Sequence, residues 1–132
     1  MATRHFLAPM LDRPDVRYVL RHARTGLVLA SDLEQAFDAG RRRQGLLGRR
    51  RLAAAAALIL APCGAIHTFF MRFPIDVVFA RRDGEVVKVC ARVRPWRTAF
   101  ARGSFAAIEL ASGRARDLDI KPGDRLELGL PS

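Results

Sequence analysis

From residue 16 onward the chain alternates short apolar runs with polar or glycine-containing breaks. VRYVL (16–20) and LVLA (27–30) read as two strands joined through Thr25-Gly26, a turn-forming pair. Ser31 and Asp32 are good helix caps, and Leu33, Ala36 and Phe37 follow at the spacing of one helical face. This predicts a helix that Gly40 weakens and Gly45 or Gly48 ends. In 52–62 five consecutive alanines favour helix, whereas Leu58-Ile59-Leu60 before Pro62 suit a buried strand. The expectation there is a short helix or turn passing into a strand.

Beyond Ile66 the pattern is β. IHTFFM (66–71) and IDVVFA (75–80) are rich in aromatic and β-branched residues, Asp83-Gly84 is a hairpin turn, and EVVKVCARV (85–93) is the return strand. RPWRTAF (94–100) reads as a loop, FAAIELAS (105–112) as a strand and GRARDLDI (113–120) as a helical turn. Pro122-Gly123-Asp124 is a turn before a closing strand, RLELGL. The fold class expected is mainly β (α+β), a compact β-sandwich or barrel-like domain with one or two short helices. Pro9 and Pro14 mark residues 1–15 as a flexible tail, leaving 16–132 as a single β-rich domain.

Composition sharpens this picture. Half of the 132 residues are hydrophobic and eight are Phe, enough for a true core. Cys63 and Cys90 are too few for a disulfide framework and read as reduced thiols. No signal-peptide pattern opens the chain, and its longest apolar run, residues 52–63, falls short of the roughly 20 residues of a spanning helix. A cytoplasmic protein without a transmembrane segment is expected.

The net charge of +10 raises nucleic acid as an unspecific partner. Only Lys88 and Lys121 among the 23 basic residues are lysines, a bias that GC-rich coding also produces. The densest charge is Arg41, Arg42, Arg43, Arg49, Arg50 and Arg51 around Gly-Leu-Leu-Gly. With no aromatic residues interleaved, these arginines read first as a solvated helix end and turn, and only second as a polyanion site.

Candidate chemistry concentrates in CGAIHTFFMRFPID, residues 63–76. On one strand Cys63, His67 and Met71 share a face but stand about 13 Å apart per four residues, too far to ligate one metal. Neither a metal nor another cofactor is expected. Cys63 beside His67 is a weak nucleophile–base pair, because the flanking glycine and proline disfavour the helix that would join them. Asp76 and Glu109 each interrupt an apolar strand, where a carboxylate is costly unless paired. Trp96 and Arg97 sit together in a loop, where a tryptophan serves as a binding anchor or as a cap on the fold.

GLLGR (45–49), IHTFFMRFPIDVVF (66–79), DGEVVKV (83–89), IELASG (108–113) and PGDRLEL (122–128) occur in an order that resembles the domain-of-unknown-function 192 family of prokaryotes. The resemblance implies a compact, strongly β domain and carries no agreed biochemical activity. Some relatives are encoded near pilus-assembly or secretion genes. Many members have Trp-Met-Lys-Asn-Thr where this chain has His67, Thr68, Phe69, Phe70 and Met71, a His-Thr subgroup pattern. Roles resting on the Trp, Lys or Asn therefore do not transfer.

The leading reading is an accessory module that binds a small-molecule ligand or a protein, without catalysis of its own. His67, Thr68, Asp76, Trp96, Arg97 and Glu109 would line its cleft. The alternatives are a hydrolase using His67 with Asp76 or Glu109, and a non-specific polyanion binder acting through the arginines of 41–51.

Overall fold

The computed structural model describes residues 4–131. Its elements are α1 (Ala8–Asp12), β1 (Val19–His22), β2 (Val28–Ala30), β3 (Asp32–Ala36), α2 (Ala39–Gln44), β4 (Ala56–Leu60) and β5 (Ala65–His67), followed by β6 (Ile75–Ala80), β7 (Val86–Val93), β8 (Thr98–Phe100), β9 (Ala106–Ala111), α3 (Arg114–Asp117) and β10 (Leu126–Gly129). They form a five-stranded sheet in the order β3-β4-β9-β6-β7, a three-stranded sheet β10-β1-β2, and a ribbon β5-β8.

Every residue of β4 and of β6 is buried, and so is all of β9 except Ala111. A strand covered on both faces needs apolar residues at consecutive positions, which is why AALIL and IDVVFA lack a polar alternation. Successive side chains point to opposite faces. Ala57, Ile59, Val78, Ile108 and Leu110 pack with Leu20, Leu29 and Leu126 of the three-stranded sheet and with Leu7 and Met10 around α1. Leu58, Leu60, Ile75, Val77, Phe79 and Ala107 form a second cluster with Leu46, Ile66, Met71 and Ala99. Burying a side chain such as Phe79 completely is worth about 1.5–3 kcal/mol, so each face of the sheet is anchored independently.

The mainly β class holds, with differences in detail. There are three short helices among the described residues, and the sheets do not close into a barrel. The helix expected from Ser31 is instead β3, which runs parallel to β4 with Asp32 opposite Ala56 and Ala36 opposite Leu60. Leu33 and Phe37 pack on one cluster and Ala36 on the other, which is a period of two. The helical spacing of 33, 36 and 37 was compatible with both periods, and pairing with β4 decided between them. The helix starts later, where the Asp38 side chain accepts a bond from the Arg41 amide at 2.8 Å.

The stretch expected as a loose tail contains α1, with Pro9 in its first turn and Leu7 fully buried; residues 1–3 lie outside the described part. The Asp83-Gly84 hairpin joins β6 to β7 as expected. Gly84 has φ of 91°, and a Cβ there would collide with the Leu126 carbonyl, so a side chain is excluded where β10 crosses the hairpin.

Candidate functional site

The six residues singled out from the sequence separate into three environments. Thr68 and Asp76 are fully buried and hold backbone. Thr68 Oγ1 donates to the Arg94 carbonyl at 2.6 Å and accepts from the Arg97 amide at 2.9 Å. The Thr68 carbonyl accepts from the amides of Trp96, at 2.9 Å, and Met71, at 3.2 Å. One residue thus clasps the 94–97 loop to the 68–71 turn.

Asp76 Oδ1 accepts from the Arg92 amide at 2.8 Å, while Oδ2 accepts from the amides of Gly113 at 3.1 Å and Ala115 at 2.8 Å. Three backbone donors satisfy the carboxylate without any guanidinium. The Asp of the 66–79 motif and the Gly of the 108–113 motif are two ends of this one contact. Asp76 therefore does not line a cleft. Nor does it pair with Glu109: in the β6–β9 register Glu109 lies opposite Val77, so the two carboxylates point to opposite faces of the sheet. The His67–Asp76 option of the hydrolase reading is therefore not assembled, which leaves Glu109 as its carboxylate.

Glu109 and His67 both line one cleft of about 370 Å³. One wall is the end of α2 and the turn after it, Arg42 to Leu47; the other is 62–67, with Leu60 and Met71 beneath. The wall turns at Gly45, whose φ of 49° and ψ of −127° suit glycine. The Arg42 guanidinium braces the rim by donating to the carbonyls of Phe37 at 2.9 Å and Ala61 at 3.3 Å. Sequence reasoning placed Arg42 and Arg43 in a polyanion patch and missed Gln44 to Leu47 as site residues, although GLLGR carried part of the family resemblance.

Glu109 is the chemically distinctive group. It comes from β9 with only 3% of its surface exposed, and none of the described residues hydrogen-bonds its carboxyl. Burial pushes its pKa up to about 7, against a weaker downward pull from Arg49. Arg49 cannot neutralise it fully, because its guanidinium forms a two-pronged bridge to Glu34 at 3.0 and 2.6 Å. That same bridge holds the Glu34 carboxyl below its ordinary range. Near neutral pH, Glu109 is therefore present both as an acid that donates and as a carboxylate that accepts.

Cys63 also lines the cleft, and its thiol donates to the Ala65 carbonyl at 3.1 Å. Burial pushes its pKa up, away from the nucleophilic thiolate. His67 sits exposed on the rim, its Nδ1 accepting from the Phe69 amide at 3.2 Å, which leaves Nε2 to carry the proton. Trp96 and Arg97 lie beside the cleft on an exposed ledge, where Phe69 stacks between His67 at 4.9 Å and Trp96 at 5.9 Å.

The arginines of 41–51 have different partners. Arg41 pairs with Asp38, Arg42 braces, Arg43 lines the cleft and Arg49 is bridged; Arg50 and Arg51 are exposed. Among the described residues no group of three or more His, Cys, Asp or Glu is placed to hold a metal ion, and no helix is long and apolar enough to cross a membrane.

Two solved structures share the fold. A protein of unknown function from Novosphingobium aromaticivorans DSM 12444 is 25% identical, with a TM-score of 0.73 over 83% of this chain and 82% of that one. A Sinorhizobium meliloti 1021 protein described as a "putative transcription regulator" is 25% identical, with a TM-score of 0.73 over 84% of this chain and 91% of its own. No curated protein matches. The profile of the DUF192 family, described as "Uncharacterized ACR", matches residues 20–128, which include both clasps and the whole cleft, and the chain belongs to that family.

Proposed function

We propose that the protein is a binding module, without catalysis of its own, for a small ligand that carries a hydrogen-bond acceptor and an apolar body. The observation that carries this reading is Glu109: a buried carboxyl with no hydrogen-bond partner among the described residues, at the floor of an open cleft. The carboxyl oxygens open to the cleft, so a ligand that supplies a hydrogen-bond partner there takes the place of solvent at a group otherwise enclosed by protein. Leu46, Leu47, Ile66 and Met71 provide apolar contact, and Arg43 on the wall favours an anionic acceptor such as a carboxylate or phosphate over a cation. Protonated Glu109 then donates to that acceptor. Against a hydrolase stand the raised thiol pKa of Cys63 and the engagement of Asp76 with backbone amides, which leave His67 only Glu109 as a partner.

The test is a thermal-shift panel of small carboxylates, phosphates and carbonyl compounds at about pH 6 and about pH 8, on either side of the Glu109 midpoint. Ligands of the cleft stabilise the protein more at the lower pH, and Glu109→Leu removes the effect. Hits indifferent to both pH and Glu109→Leu would place the binding site elsewhere.

A further inference from the structure

The ledge beside the cleft exposes large apolar rings that the fold does not use. Phe70 is 70% exposed, Trp96 55% and Phe69 37%. They touch one another, Phe70 on Trp96 at 4.5 Å and Trp96 on Phe69 at 5.9 Å, and His67 continues the row. Phe70 and Trp96 hold φ values of 65° and 66°, a region that bulky side chains rarely adopt. The Thr68 clasp pins both of these backbone turns. Strained backbone that holds aromatic rings out into water serves an encounter with something else.

Charge says what that partner is. The two segments that build the ledge, residues 63–75 and 91–105, contain no Asp or Glu. They do contain Arg72, Arg94 and Arg97, all exposed and none of them ion-paired among the described residues. Rows of rings flanked by unpaired guanidinium groups match a chain of bases joined by phosphates: bases extend the ring stack, and arginines meet the backbone. The chain alone separates the rings of 67–70 from Trp96 by more than twenty residues, and the 68–94 and 68–97 bonds bring them together. His67 and Phe69 lie near-parallel at 25°, and Phe69 and Trp96 at 29°, while Phe70 leans on Trp96 at 58°, so three rings line up as a stack and the fourth stands tilted at its end.

We propose that the ledge formed by His67, Phe69, Phe70 and Trp96, with Arg94 and Arg97, is a stacking surface for single-stranded nucleic acid. The ledge shares only His67 with the cleft, since none of Phe69, Phe70, Trp96, Arg94 and Arg97 lines the cleft.

Trp96 is the only tryptophan, so intrinsic fluorescence reports directly from the ledge. The experiment titrates the full chain with a short single-stranded oligonucleotide, its duplex form, heparin, and vesicles of mixed anionic and zwitterionic lipid. Quenching of Trp96 by the single strand is expected, with weaker quenching by duplex. Affinity falls with salt at a log–log slope of about −0.7 for each phosphate neutralised. Phe70→Ala, and separately Arg94→Ala with Arg97→Ala, weaken binding about tenfold by anisotropy while the melting temperature stays near that of the parent. Three results would overturn the proposal. One is no quenching by the single strand at low salt. Another is binding by heparin and oligonucleotide that ignores Phe70→Ala, which is charge attraction alone. The third is a blue-shifted Trp96 on anionic vesicles without any response to the oligonucleotide, which makes the ledge a lipid contact.

Discussion

Asp76 and Glu109 are two acids in neighbouring strands with opposite assignments, set by what surrounds each carboxyl. Three amides meet Asp76, which makes it part of the framework. Asp76→Asn leaves one oxygen for donors that need two and turns an NH2 toward an amide. It is expected to lower stability by about 2–4 kcal/mol in chemical denaturation, through buried donors left unmatched. Glu109 has no such donors, and its folded-state pKa of about 7 stands above the ordinary 4.5. For an acid whose pKa is raised by folding, the stabilising protonated form is fully present below the unfolded value and is lost as pH rises through the folded one. Stability of the parent is therefore expected to decline between about pH 4.5 and pH 7, by up to about 3 kcal/mol, and Glu109→Gln to flatten that decline. Both positions stand out in the sequence as acids in apolar strands. Their separation does not, because it depends on the one-residue offset in the β6–β9 register that faces them apart.

At the scale of elements, the turn after α2 decides whether there is a cleft at all. Gly45 ends the helix in a conformation that other residues resist, and the chain then drops Leu46 into the core, so that the wall stands away from β5. Gly45→Val is expected to cost about 1–3 kcal/mol of stability and to abolish ligand-dependent thermal shifts, and Gly45→Asn to cost a similar amount, because a ψ of −127° lies outside the left-handed helical region that Asn tolerates. The ledge carries the opposite trade. Phe70→Gly is expected to leave stability unchanged or to raise it by about 1 kcal/mol, since it relieves the positive φ while removing a ring mostly in water. The hairpin at Asp83-Gly84 and the run of buried strands could be read directly from the sequence, because turn chemistry and continuous apolar stretches are local signals. β3 was not, because its Ser-Asp start and 33–36–37 spacing also fit a helix, and only its parallel partner 24 residues along resolves the choice. The 94–100 segment hid β8 for the same reason: it is a strand only by pairing with β5.

Across the whole molecule, the five-stranded sheet divides the work between its faces. One face rests on the three-stranded sheet and α1; it carries core and the Asp76 clasp. The other is covered incompletely by α2, its turn and the β5–β8 ribbon, and the gaps in that cover are the Glu109 cleft and the aromatic ledge beside it. A mainly β core was legible from apolar runs, and residue types drew attention to 63–76, of which Cys63 to His67 and Met71 line the cleft. The rest of the cleft comes from 42–47 and 109, and the rest of the ledge from Trp96, positions that only the folded chain brings to one face.

Ligand binding in the cleft turns on the state of Glu109, and a carbon-detected NMR titration of its side-chain carboxyl measures that state directly. A midpoint near 7 that rises when a cleft ligand from the thermal-shift panel is added is the predicted result. A midpoint at the ordinary carboxylate value would mean that the carboxyl is solvated or paired, which would contradict its role as the unmatched group that receives the ligand.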